Sequence, residues 1–363
     1  MMRHGDSAPP DGAVRGDAAA GTVPAGATTG AAPAGEPTDA APDSGTTGAA
    51  PAGEGTRDTG PDAAGLPRVL LVVVHWNGLD DSTRCLQSLA RLTYPARQLL
   101  VVDNASSDGS GAELARRFPD IEIFRSPENR FYGGGANLGL RRALSGGFDH
   151  AILLNNDTEV APDLVERLVE VADGTPNVGL VGPKIFHADQ PELIWSAGGR
   201  IEYWRGMMHH LGLRQPDGPA FAVEREVDYL TGCCLMVARR VIVEVGYLDT
   251  TYQMYSEDAD YCVRARDLGF GVRFAPRARV WHRVSAASGG GLTPYKMYHR
   301  VRSNLMFLRR HARPYHWLTI PLSLPFEFMR FAVRRDGGRR RGVLGAGLRA
   351  LLDLVRRAPR RAP

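Results

Sequence analysis

The sequence predicts an α/β protein built on a mostly parallel sheet with helices on its faces. Three observations carry that expectation. Short Val- and Leu-rich runs recur, apolar throughout as in strands buried on both faces. Amphipathic stretches separate them, giving the strand–helix alternation of a parallel sheet. Polar clusters follow the strands, where ligands sit beyond the carboxyl ends in sheets of this class.

Residues 1–66 stand apart. They contain no Phe, Trp, Tyr or Ile, and the string TTGAAPAGE starts at both Thr28 and Thr46. Such a segment cannot bury enough apolar surface to offset its ordering entropy, so disorder without chemistry is expected there. From Pro67 the texture changes. Residues 68–76 (RVLLVVVHW) contain the first buried strand. Asp80 and Asp81 can cap a helix with Cys85, Leu86, Leu89 and Leu92 on one side. A second strand, 99–103 (LLVVD), ends in a polar turn over 104–110. Then come a helix around 111–118, a short strand at 121–124, a helix over 136–144 and a buried strand at 151–154. Beyond Pro183 the pattern loosens to a strand at 229–238, a helix at 256–268 and a strand at 272–282. A catalytic domain over 67–292 is the expected unit.

Residues 293–363 form a basic, amphipathic helical region. A helix is expected at 293–311. The apolar stretch 317–333 is interrupted by Pro321, Pro325, Glu327 and Arg330, and falls short of the roughly 20 apolar residues a span needs. Flanked by Arg334, Arg335 and Arg339–Arg341, it fits an element lying in a membrane interface. Residues 296–363 hold 17 Lys and Arg against 3 Asp and Glu, whereas 1–295 hold 27 against 37. An acidic body with a basic tail points to an anionic partner. Arg residues alternating with apolar stretches suit lipid, and the absence of a recognition module argues against nucleic acid. The four cysteines form no C-x-x-C pair and are expected to be free thiols. No apolar signal-peptide segment follows Met1. A cytoplasmic protein, peripheral to the inner face of the cell membrane, is therefore expected.

Candidate functional residues sit at the strand ends and helix starts. His75-Trp76-Asn77, Asp103-Asn104 and Asn155-Asn156-Asp157 each leave a strand; Glu257-Asp258 with Asp260 opens a helix; His282 ends the last strand. Each has a plain structural explanation. Asp103-Asn104 and Asn155–Asp157 are good turn chemistry. Carboxylates suit a first helical turn, and Asp260 can pair with Arg264 at i,i+4. Gly133–Gly135 can be a loop, and Asn137 a helix cap. Together, however, the types are complementary. A diphosphate needs a hard cation, which takes carboxylate oxygens and, for manganese, imidazole: Asp157 and His282. An acceptor hydroxyl needs a base, Asp258 or Glu257. Asp103 can recognise the nucleotide.

Six motifs in order, VVVHWNG (72–78), VVDNASSDGS (101–110), NRFYGGGANLG (129–139), LLNNDTEV (153–160), TGCCLMVAR (231–239) and YSEDADYCVRARDLG (255–269), resemble glycosyltransferase family 2, particularly its bacterial rhamnosyltransferase-like members. The resemblance covers about residues 68–310. It implies the GT-A fold, a Rossmann-like nucleotide half merged with an acceptor half, to which the composition of the basic tail adds a C-terminal helical membrane-associating extension. It implies an inverting transfer from a nucleoside-diphosphate sugar (dTDP-, UDP- or GDP-linked, with dTDP-rhamnose favoured), and the basic apolar tail points to a lipid-linked or cell-envelope glycan as acceptor. His75, Trp76, Asn77, Asp103, Asn137 and Asn156 would bind the nucleotide sugar, and Asp258, beside Glu257, would be the base. Asp157 matches the last acid of the D-x-D-like metal motif, with Asn155 at the first position, and His282 a downstream metal ligand for Mn2+ or Mg2+. The alternative is a non-catalytic, sugar-nucleotide-binding scaffold of a membrane-associated polysaccharide assembly.

Overall fold

The computed structural model describes residues 65–283, 293–335 and 340–356. Apart from its last two residues, the segment expected to be disordered lies outside them. So do residues 284–292, 336–339 and 357–363. The first half alternates β1 (Val69–His75), α1 (Leu79–Leu89), β2 (Arg97–Asp103), α2 (Ser110–Arg117), β3 (Glu122–Arg125), α3 (Phe131–Ser145), β4 (His150–Asn155), β5 (Thr158–Val160), α4 (Leu164–Gly174) and β6 (Val178–His187). Shorter pieces follow: β7 (Ile194–Ser196), β8 (Gly199–Glu202), β9 (Met207–His210), β10 (Arg225–Glu226), β11 (Cys234–Ala238), α5 (Arg239–Glu244), α6 (Glu257–Asp267) and the long β12 (Gly271–His282). Three helices come last: α7 (Pro294–His311), α8 (Ile320–Arg335) and α9 (Arg340–Arg356).

The main sheet runs β10-β12-β6-β11-β4-β1-β2-β3, with β5 on β12 and β7 on β6. Its first half is parallel: β1 lies between β2 and β4, and β3 flanks β2. The second half is mixed, because β11 runs antiparallel to both β4 and β6 while β12 runs parallel to β6. β8 and β9 form a separate hairpin.

Every residue of β1 is buried, which is why its sequence is an unbroken apolar run. Alternate side chains serve two cores. Leu70, Val72 and Val74 pack with Ala136, Leu140 and Ala143 of α3, and Val69, Leu71 and Val73 with Cys85, Leu86 and Leu89 of α1. The period-two alternation of a strand does the sorting. α7 joins the first of these cores through Met297, Val301, Phe307 and Leu308.

Three local readings are corrected. The helix expected from residue 136 begins at Phe131, with Gly133–Gly135 inside it. Glycine's poor helix propensity is overridden because α3 must lie close on β1: a Cβ at Gly139 would meet Val72 Cγ1 at 2.2 Å and one at Gly135 would meet Val74 Cγ1 at 2.8 Å. The cap of α1 is Gly78, in the left-handed region at φ +79°, and Asp80 and Asp81 fall in the first turn. The strand expected from 229 begins at Cys234, because Tyr229 bridges to Gly199 and Gly232 N turns to a carboxylate on α6. All four cysteines are buried free thiols. No helix among the described residues is long and apolar enough to cross a membrane.

Gly139→Ala is expected to lower stability by about 1–3 kcal/mol through overpacking against Val72. Gly174→Ala, where an added Cβ meets nothing within 4 Å, should stay within about 0.5 kcal/mol of wild type. Urea denaturation of the two variants tests the contrast.

Candidate active site

The strand ends are level. His75 lies opposite Asp103, and Val74 opposite Asn155. The chain leaves β1 towards β2 and β3, then returns to β4 on the other side, so the crevice between β1 and β4 is the topological switch point.

The back of this crevice is a hydrogen-bonded frame. His75 is fully buried, its Nδ1 2.7 Å from Ser82 Oγ and its Nε2 2.8 Å from Ser110 Oγ. Burial lowers its pKa against the pull of Asp103 and Asp108, so the ring is neutral. Asn156 Nδ2 donates to Ser82 Oγ (2.9 Å) and to Asn77 O (3.2 Å). Asn77, at φ +57°, donates its N–H to Ser106 Oγ, and its Oδ1 accepts from Ser107 N, each at 2.9 Å. Asp103 is 1% exposed, and its Oδ1 accepts from Ser106 N at 2.9 Å. Gly111 makes room for that carboxylate, since a Cβ there would stand 2.0 Å from Asp103 Oδ2. His75, Asn77, Asp103 and Asn156 are thus brought together. Their polar atoms hold the loops after β1, β2 and β4, while Trp76, 41% exposed, presents its ring to solvent. Asn137 is not part of this frame. Its amide bonds both N and O of Leu248, each at 2.9 Å, tying α3 to the segment before α6.

The second cluster depends on a three-residue strand. β5 pairs antiparallel with β12, Thr158 opposite His282, and Arg283 N donates to Asp157 O at 2.9 Å. Asp157 Oδ1 thereby comes to 3.1 Å from His282 Nε2. Although close, the buried Asp157 Oδ1 has no aligned hydrogen-bond partner, and neither does His282 Nδ1. The pair therefore fits a hard divalent ion, supplying one carboxylate oxygen and one imidazole nitrogen and leaving positions for phosphate oxygens and water. No group of three or more His, Cys, Asp or Glu gathers for metal binding among the described residues. Trp195 packs edge-on against His282, with ring centroids 4.6 Å apart.

The third cluster opens α6. Gln253, Tyr255 and Ser256 all have positive φ (63°, 67° and 68°), an uncommon and strained run for non-glycine residues. It delivers Glu257 and Asp258 to the end of the sheet. Asp258 Oδ2 accepts from Gly232 N (2.9 Å) and Oδ1 from Ala259 N (2.8 Å). Burial raises both carboxyl groups. Asp258 is partly held back by its backbone donors, whereas burial and the neighbouring Asp258 charge push Glu257 up to about 8. Glu257 Oε2 is buried with no hydrogen-bond partner, so at neutral pH the proton resides on Glu257. Asp260 does something else. It receives Arg264 Nε at 2.7 Å and His311 Nε2 lies 2.8 Å away, joining α6 to α7. Burial works to raise this carboxyl, but His311 and Arg264 outweigh it and hold it below the ordinary range.

The second and third clusters meet through residues 232–233. Gly232 N binds Asp258, Cys233 O accepts from Asn155 N at 3.0 Å, and Tyr132 OH donates to Gly232 O. Burial first, then Asp157 and more weakly Asp258, raise the Cys233 thiol well above its usual pKa. Ser82, Ser106, Ser110, Gly232 and Tyr132 were not picked out individually from the sequence. The NRFYGGG, TGCC and SSDGS strings contain all of them but Ser82, and serines carry no signal until the fold sets them against His75 and Asn77.

Residues 67–300 match the model of "Glycosyltransferase like family 2". The N-acetylglucosaminyl-diphospho-decaprenol L-rhamnosyltransferase of Mycobacterium tuberculosis (strain H37Rv) is 28% identical over 257 residues, 66% of this chain and 82% of that protein. The low-salt glycan biosynthesis hexosyltransferase Agl10 of Haloferax volcanii is 26% identical over 208 residues, 54% of this chain and 61% of that protein. Among solved structures, GalNAc-T7 with UDP, GalNAc and Mn2+ aligns with a TM-score of 0.52 at 18% identity. That alignment covers 66% of this chain and 48% of the other, so the chain spans about half of GalNAc-T7, and the likeness is one of GT-A fold.

Glu257 gives the pH signature of the site. Its folded pKa of about 8 lies above the ordinary 4.5, so between those values the native state keeps a proton that the unfolded chain has lost. Stability from this group therefore falls as pH rises from 4.5 to 8 and levels off above. The melting-temperature gain of Glu257→Gln over wild type is expected to grow across pH 5 to 8. Parallel pH profiles for the two proteins would contradict the protonated Glu257.

Proposed function

The chain belongs to glycosyltransferase family 2, and on that premise we propose that it transfers a sugar, with inversion, from a nucleoside diphosphate to a hydroxyl of a lipid-linked or cell-envelope glycan. One observation carries the reading: Asp157 Oδ1 and His282 Nε2 converge at 3.1 Å beyond the sheet's carboxyl end, while Gly232 and Cys233 tie Asp258 to Asn155, two residues before Asp157.

In this reading the nucleoside lies against Trp76 and Asn77, and His75, Asp103 and Asn156 hold that wall from behind. Asn137 acts on the donor only by fixing α3. Mn2+ or Mg2+ at Asp157 and His282 supplies, when bound, electrostatic stabilisation of the departing diphosphate. Asp258 faces the acceptor. A carboxylate has about four lone-pair sites, and beyond the Gly232, Ala259 and Thr231 hydrogen bonds one remains to take the hydroxyl proton. The acceptor oxygen bonds to the anomeric carbon as that carbon's bond to the diphosphate breaks on the opposite side. Burial raises both carboxyl groups, and in this reading Asp258, whose oxygens accept from the Gly232 and Ala259 N–H groups, is the one that takes up the acceptor's proton.

The M. tuberculosis relative, named as an N-acetylglucosaminyl-diphospho-decaprenol L-rhamnosyltransferase, supports rhamnose as the sugar moved, with dTDP the nucleotide favoured for it here over UDP or GDP, and a polyprenol-linked acceptor. An acceptor of that kind is membrane-bound. The 17 Lys and Arg against 3 Asp and Glu after residue 295 support peripheral attachment to the anionic inner face of the membrane rather than to nucleic acid.

Asp258→Asn is expected to lower acceptor-dependent release of the nucleoside diphosphate by about 10²–10⁴-fold while leaving nucleotide binding intact. Turnover within a few-fold of wild type would remove Asp258 from the role of base. Nucleotide binding without turnover in the wild-type chain, given membranes bearing lipid-linked acceptors, would instead favour the scaffold.

A further inference from the structure

α8 is apolar on two faces and only one of them is buried. Ile320 and Leu324, 1% and 4% exposed, pack into the core. On the outer face Leu322 and Phe326 stand about one turn apart and are 80 and 57% exposed, and Leu318, in the turn just before α8, is 75% exposed. Two aromatic rings extend this face. Tyr315 precedes α8, and Trp204 comes from the turn between β8 and β9, more than a hundred residues earlier. Their ring centroids are 5.5 Å apart, and both rings are about half exposed. The turn is fixed there. Ser323 Oγ donates to Arg205 O at 3.1 Å, Asn304 Nδ2 to Gly206 O at 2.9 Å, and Arg205 pairs with Glu327. Gly206, at φ +65°, lets the chain reverse closely over Leu308 and Leu324.

Singly exposed apolar side chains are ordinary, but five on one rigid face are not. The chemistry of the face and of its surroundings indicates what covers it. Leucine and phenylalanine beside Trp and Tyr is the mixture that settles at the boundary between headgroups and acyl chains. Pro325 lies inside α8 and no described helix can cross a bilayer, so the helix suits lying in the plane. The strong positive excess after residue 295 complements anionic lipid.

We propose that Trp204, Tyr315, Leu318, Leu322 and Phe326 form a wedge that enters the headgroup layer of an anionic bilayer and orients the catalytic body on it. The inference rests on the membrane-surface reading above, and adds that apolar insertion through this face, not charge alone, makes the attachment. Anchoring through both α8 and the β8–β9 turn fixes a rotation as well as a distance, which a flexible basic tail does not.

The test is co-flotation of the full chain with vesicles of phosphatidylcholine and phosphatidylglycerol, comparing wild type with the double variant Leu322→Ser/Phe326→Ser, which keeps every charge. The wild type should float, and the double variant should partition at least about 10-fold less, with melting temperature and nucleotide-induced thermal shift unchanged. Brominated lipid should quench the fluorescence of the otherwise unaltered chain, and Trp204→Phe should remove most of that quenching. Equal flotation of wild type and double variant would overturn the wedge and leave attachment to charge. A wild-type dimer that the double variant dissociates would overturn it in favour of self-association. Failure of the wild type to float would also remove the membrane-surface reading, whereas nucleotide binding reports on the catalytic reading independently.

Discussion

The register of three parallel strands is the constraint on which the site depends. β2 and β4 flank β1 so that His75 faces Asp103 and Val74 faces Asn155, and the chain leaves all three strands at one level. A slip of one residue would send each apolar run to the wrong core and carry these polar residues inside. Two cores, one on each face of β1, hold the register. Glycines complete it where nothing larger fits: Gly135 and Gly139 under α3, and Gly111 against the Asp103 carboxylate.

On this platform the polar residues divide into two kinds. The frame around His75, Asn77, Asp103 and Asn156 is hydrogen-bonded within the protein, and gives a rigid wall at little risk, because every buried group in it has a partner. In front lie buried atoms without one, Asp157 Oδ1, His282 Nδ1 and Glu257 Oε2. Orphaned polar atoms are costly to bury and call for an explanation, which in the proposed reading a cation would supply for Asp157 Oδ1. The backbone follows the same division. Non-glycine residues with positive φ include Asn77, Ala105 and Phe131 at the frame and Gln253, Tyr255 and Ser256 before the two carboxylates, so local strain gathers where loops must aim side chains.

Much of this was legible in the sequence. Unbroken apolar runs announced the strands buried on both faces, and the i,i+4 spacing announced the Asp260–Arg264 pair, found at 2.7 Å. What was not legible depends on distant pairing. β5 is too short to read as a strand, yet its ladder with β12 across more than a hundred residues is what sets Asp157 beside His282. The glycines before residue 136 resemble a loop until β1 is laid beneath them. Asp103 and Asn137 sat in motifs that suggested contact with a donor, and what the sequence could not show is that Asp103 Oδ1 also holds Ser106 and the Asn137 amide Leu248. The apolar face of α8 was partly legible, but Trp204 joins it only through the fold.

The most direct measurement is the thermal shift of the folded chain with dTDP, UDP, GDP and CMP, each with and without manganese, repeated on His282→Ala. The account predicts stabilisation by one nucleotide that needs manganese and is lost or sharply reduced in the variant. A shift indifferent to manganese and to His282, or no shift with any nucleotide, would contradict the site built from Asp157 and His282.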